Sequence, residues 1–180
     1  MKRCLGPIRR SSGGCTADLL MGTDNRALEE TASAVRKNRL EFITHSPEET
    51  IELGAKLARQ LPQPCLVVLE GELGSGKTTL VKGIVSGLGV ARQEEVTSPS
   101  FTLVHEYGRD RKVYHADLYR IEGVRELSTL GLEDLLEQEA TLIVEWGEKL
   151  AGQESEAQVR IRMDLLKDDD RRITIEGLER

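Results

Sequence analysis

From about residue 40 onward, apolar and polar positions fall into short blocks whose periods predict the elements. Leu40 to Thr44 reads as a short strand. Ser46-Pro47-Glu48-Glu49 is a helix start: Ser is the N-cap, Pro takes the first helical position, and Glu49 closes a capping box three residues on. Ile51, Leu53, Gly54, Leu57, Ala58 and Leu61 follow at roughly helical spacing until Pro62 and Pro64 end the run. The apolar run CLVVLE comes next, then the glycine-rich stretch GELGSGKTT, then a helical pattern from about Lys77 to Leu88 closed by Gly89.

Downstream, SFTLVHEY and KVYHADLYR alternate as two strands joined by Gly108-Arg109-Asp110-Arg111. A helical stretch spans about Val124 to Gln138. TLIVEW is a buried-strand candidate, because an apolar run without polar alternation suits a sheet covered on both faces. QVRIRMDLL and RRITIEGL, separated by Lys167-Asp168-Asp169-Asp170, form a closing antiparallel pair. The pattern predicts an α/β domain with a mostly parallel central sheet, an antiparallel hairpin and flanking helices, over residues 40 to 180. Residues 1 to 39 lack periodicity, mix basic residues with Gly and Ser, and are expected to be a disordered basic extension. Their short apolar stretches are no signal-peptide core; a transit peptide, or an extended start with Met21 as the alternative, both fit.

Charge narrows the function. Residues 1 to 40 hold eight Lys and Arg against four Asp and Glu, leaving 17 basic and 27 acidic residues for the rest. An acidic body makes a poor stand-alone partner for a phosphate backbone, so any contact with nucleic acid is expected to be indirect. No apolar run approaches the roughly 20 residues of a membrane span. Cys4, Cys15 and Cys65 have no CxxC spacing and are odd in number, which favours reduced thiols and a cytoplasmic location.

GELGSGKT satisfies GxxxxGK[ST] with Gly71, Gly76, Lys77 and Thr78, between a strand and a helix as that motif requires. Glycines let consecutive N–H groups turn inward around phosphate oxygens, and the following helix dipole favours negative charge there. Lys77 would reach the β and γ phosphates, and the Thr78 hydroxyl would complete a Mg²⁺ shell. Such a site needs an acid at the end of a neighbouring strand, and two are candidates: Glu145 after TLIV and Asp117 after VYHA. A buried strand ending in a carboxylate is costly without a cation. Glu145 is favoured because its run is the purer buried strand; pairing of Glu145 with Lys149, and of Asp117 with Arg120 or a cap, are the plainer alternatives. Thr97-Ser98-Pro99-Ser100-Phe101-Thr102 reads on its residues as a polar turn around Pro, and alternatively as a γ-phosphate-sensing switch. His115 has a structural hydrogen bond as its default role, and Trp146 packing.

In order, GELGSGKTT, TSPSFTLVHEY, YHADLYR and IVEWGEKL resemble the TsaE (YjeE) family of small P-loop ATPases in tRNA threonylcarbamoyladenosine synthesis, over about residues 41 to 150. The resemblance implies that the backbone of Glu72, Leu73, Gly74, Ser75, Gly76, Lys77, Thr78 and Thr79, with the Lys77 side chain, holds the phosphates of ATP, and that Thr78 and Glu145 hold Mg²⁺. It further implies that Asp117 and the segment from Ser98 to Thr102, Ser100 included, line the nucleotide site, with Trp146 near it. Ser100 stands where the family has Thr, which keeps the hydroxyl and loses the methyl. Lys77, Asp117 and Glu145 are the implied catalytic residues, and either carboxylate could orient the attacking water. The implied partners are TsaB and TsaD homologues, with tRNA met only through their complex. Two rivals share the loop: a small-molecule kinase, for which Arg109, Arg111 and Arg120 are too scattered to form a lid, and an adaptor that binds ATP without hydrolysing it.

Overall fold

The computed structural model describes residues 39–99, 101–136, 140–150 and 158–178. The expected N-terminal extension, apart from Arg39, lies outside these residues, as does Ser100. Seven strands form one sheet: β1 (Leu40–Thr44), β2 (Cys65–Glu70), β3 (Val104–Tyr107), β4 (Val113–Asp117), β5 (Thr141–Glu145), β6 (Gln158–Leu165) and β7 (Arg171–Glu176). Their spatial order is β1-β7-β6-β2-β5-β4-β3. The central four, β6, β2, β5 and β4, run parallel, and antiparallel neighbours close both ends.

Helix α1 (Pro47–Ala58) starts as its sequence dictates: Ser46 Oγ accepts from the Glu49 amide, and the Glu49 carboxylate accepts from the His45 amide. Helix α2 (Lys77–Gly87) follows the glycine-rich loop. Both pack on one face of the sheet, over Val67, Leu69, Ile161, Ile173 and Ile175. Their crossing is close because it carries no side chains. A Cβ on Gly54 would lie 2.5 Å from the Leu80 carbonyl oxygen, and one on Gly83 2.1 Å from that of Ile51, well inside contact distance. The other face is covered around Leu66, Val68, Tyr114, Leu142 and Val144 by Leu127 and Leu132, from α3 (Val124–Ser128) and α4 (Leu132–Leu136). These two replace the single helix expected from the pattern. Gly131 has φ 60°, a left-handed conformation that ends one helical run before the other begins.

Every residue of β4 and β5 is buried, whereas β6 alternates between buried and exposed. A strand covered on both faces must be apolar throughout, and a half-covered one only at every second position. Against that rule, β4 and β5 carry His115, Asp117, Thr141 and Glu145 among their buried residues.

Candidate nucleotide site

The turn after β2 has φ of 144°, 81° and 97° at Gly71, Gly74 and Gly76, conformations open to glycine and strained for other residues. Gly76 is the N-cap of α2 and provides no side-chain cap, so the first-turn amides of Lys77, Thr78 and Thr79 have neither a helical acceptor nor a capping oxygen. Lys77 is 5 % exposed, and its ammonium donates to the carbonyls of Gly71 (2.7 Å) and Glu72 (2.9 Å) and lies 4.0 Å from the centre of the Trp146 ring. Burial pushes its pKa below the usual lysine value, opposed by the negative charges of Glu145, Glu148 and Asp117.

Across the loop, parallel pairing of β4 and β5 sets Asp117 beside Glu145. Thr78 Oγ1 donates to Glu145 Oε1 at 2.8 Å, joining residues 67 positions apart in sequence. The same oxygen lies 2.9 Å from Nε2 of the fully buried His115. A carboxylate oxygen accepts, so Nε2 carries the hydrogen; Nδ1 makes no hydrogen bond among the described residues. Asp117 accepts at both oxygens, from Ser98 Oγ at 2.5 Å and from the Tyr119 amide at 2.9 Å. Ser98 is thereby tied to the site while Phe101 is exposed to solvent.

The plainer pairings do not form. Lys149 donates to the carbonyls of Leu118 (2.9 Å), Tyr119 (2.6 Å) and Ile121 (2.9 Å), and not to Glu145. Arg120 lies over the Phe101 ring and, among the described residues, forms no ion pair with Asp117. The capping alternative for Asp117 is realised in part, through the Tyr119 amide. Trp146 does more than pack. Its φ of 62°, a sharp left-handed step for a bulky residue, directs the indole over Lys77 and against Tyr119, 5.0 Å away.

An open cleft of about 480 Å³ joins these groups, lined by Gly74, Gly76, Lys77, Thr78 and Thr79, by Ser98, Asp117 and Glu145, and by the aromatic and cationic side chains around them. Leu73 of the expected loop also lines it; Glu72 and Ser75 do not. Its charged residues are Lys77, Arg120 and Arg171 against Asp117 and Glu145, a local cationic excess in a chain of net charge −6. A second cleft, of about 420 Å³, shares Trp146 but is lined by Glu70, Glu72, Glu148 and Asp164 with Arg162, the wrong sign for an anion. Arg171, Leu103 and Tyr119 line the cleft without having been singled out by sequence reasoning. Arg171 carries no motif signal, and Leu103 enters through a left-handed backbone step at φ 63°.

The family model for "Threonylcarbamoyl adenosine biosynthesis protein TsaE" matches residues 44–173. This chain belongs to the TsaE family. Among curated TsaE members, that of Treponema pallidum is 36% identical over 133 residues, covering 74% of this chain and 97% of that protein. The Bacillus subtilis protein is 38% identical over 138 residues, covering 76% of this chain and 84% of that one. Both are named tRNA threonylcarbamoyladenosine biosynthesis proteins. The crystal structure of Bacillus subtilis YdiB superposes with a TM-score of 0.62 at 32% identity, over 79% of this chain and 88% of that one. The TsaE resemblance drawn from the motifs and the α/β fold with its parallel centre thus stand.

Proposed function

We propose that this TsaE family member binds ATP with Mg²⁺ in the cleft above α2 and hydrolyses it in support of tRNA threonylcarbamoyladenosine synthesis. The carrying observation is the 2.8 Å hydrogen bond from Thr78 Oγ1 to Glu145 Oε1 at the mouth of the glycine-rich loop. Directing that hydroxyl hydrogen at the carboxylate leaves the oxygen's lone pairs for a cation, and the carboxylate supplies the negative charge. The residues therefore fit Mg²⁺, with Thr78 and Glu145 holding it. When bound, the ion would supply positive charge that offsets the negative charge of the phosphates. The amides of the loop and Lys77 would neutralise the remaining phosphate charge, Lys77 exchanging its contacts with the Gly71 and Glu72 carbonyls for phosphate oxygens. With Glu145 assigned to the metal, Asp117 is the carboxylate that orients the attacking water, held in place by hydrogen bonds from Ser98 Oγ and the Tyr119 amide. TsaB and TsaD homologues are the partners, and tRNA is reached through them. An acidic body with a cationic excess confined to the cleft suits an ATPase whose target is a protein complex.

Phosphate release from ATP and Mg²⁺ is the test, with and without TsaB and TsaD homologues and with modified tRNA as a second readout. Slow release alone that rises in their presence is expected. ADP formed only with an added acceptor and without free phosphate would make the protein a kinase. Repeated tRNA modification by a Glu145→Ala variant that hydrolyses nothing would make it an adaptor.

A further inference from the structure

We propose that Arg171 is a nucleotide contact, its guanidinium holding the α-phosphate end of the bound nucleotide at the wall of the cleft opposite Glu145. The inference rests on the nucleotide reading above. Alternation along β7 puts Arg171 on the same face as Ile173 and Ile175, which are buried under α1 and α2 with Leu80 and Ile84. Arg171 takes the next place in that apolar row, where the row reaches the cleft and the N-terminus of α2. Its side chain is so near the loop that a Cβ on Gly76 would lie 3.6 Å from Nε and 4.0 Å from Cδ.

The neighbouring arginines of this hairpin are spoken for: Arg160 pairs with Glu70, Arg162 with Asp164, and Arg172 with Glu41. Arg171 joins no ion pair among the described residues and donates only to the Asp169 carbonyl. A guanidinium beside the positive end of a helix dipole, with Lys77 also in the cleft, is repelled by both unless an anion lies between them. Sheet order supplies the direction. Asp117 and Glu145 approach the loop from β4 and β5, on one side of β2, and Arg171 from β7, on the other. The metal and the γ-phosphate belong to the first side, so the α-phosphate falls to the second.

The full chain is titrated calorimetrically with ATP and with ADP, each with Mg²⁺. In Arg171→Met an unbranched aliphatic stem is kept and the fork is gone. Both affinities are expected to fall by the same factor, about tenfold. Arg172→Met, on the opposite face, is expected to bind as wild type. Should the Met variant fail to fold, Arg171→Gln carries the same expectation. Wild-type affinity for ADP in the variant overturns the assignment, and so does weakening of ATP alone, which would move the contact to the γ-phosphate. If the wild-type chain binds neither nucleotide, the nucleotide reading itself fails, a result distinct from either of these.

Discussion

The sheet has a dry half and a wet half, and their polar residues mean different things. In β4 and β5 every position is buried, and His115 and Glu145 sit at 0% and 3% exposure in direct contact. In β6 and β7 the polar positions Arg160, Arg162 and Arg172 pair with carboxylates in contact with water. A polar group on the wet face is nearly free energetically, whereas one in the dry half costs several kcal/mol unless its partners are in place. A group held at that cost marks a place to look for chemistry, and in the dry half those groups are His115, Asp117 and Glu145.

The largest contrast is in activity. Glu145→Ala is expected to lower phosphate release from ATP by about 10²- to 10³-fold, while Asp164→Ala on the wet half leaves it unchanged. Stability comes next. His115→Leu removes the donor to the buried Glu145 carboxylate and is expected to cost about 1–3 kcal/mol in urea denaturation, against less than about 0.5 kcal/mol for Arg162→Ala. Lys149→Met tests the border of the dry half. The ammonium ties three carbonyl acceptors, those of Leu118, Tyr119 and Ile121, and its loss is expected to cost about 1–2 kcal/mol and to speed amide exchange in that segment.

The smallest effect belongs to the wet half and depends on pH. His45 Nδ1 lies 2.9 Å from Asp170 Oδ1, and this hydrogen bond, followed by the carboxylate's charge, raises the His45 pKa above 6.5. A folded pKa above the unfolded one means stabilisation fully present below the unfolded value and lost as pH rises through the folded one. Denaturation midpoints of wild type and His45→Asn should therefore differ most in mildly acidic buffer and converge above neutral pH. A gap that widened with pH would contradict the pairing.

What could be read from the chain follows the same division. CLVVLE, GELGSGKT and TLIV announce themselves because strand, turn and helix signals lie within a few residues of one another. Glu145 was found by the purity of its run. Sequence alone assigns His115 no more than a structural hydrogen bond; that its acceptor is Glu145 appears only when β4 and β5 pair. Arg171 was missed outright, since it reaches Gly76 only through the pairing of β7 with β6 and of β6 with β2. The helix expected from Val124 to Gln138 split because a glycine compatible with helical spacing instead adopts a left-handed turn.

The bare crossing of Gly54 and Gly83 has a genetic corollary. Because α2 rests against α1 without intervening side chains, the aim of its leading amides depends on two residues that touch no ligand. A single methyl at either glycine would lever the helix aside, so a screen for heat-sensitive alleles should return these positions before any in the cleft.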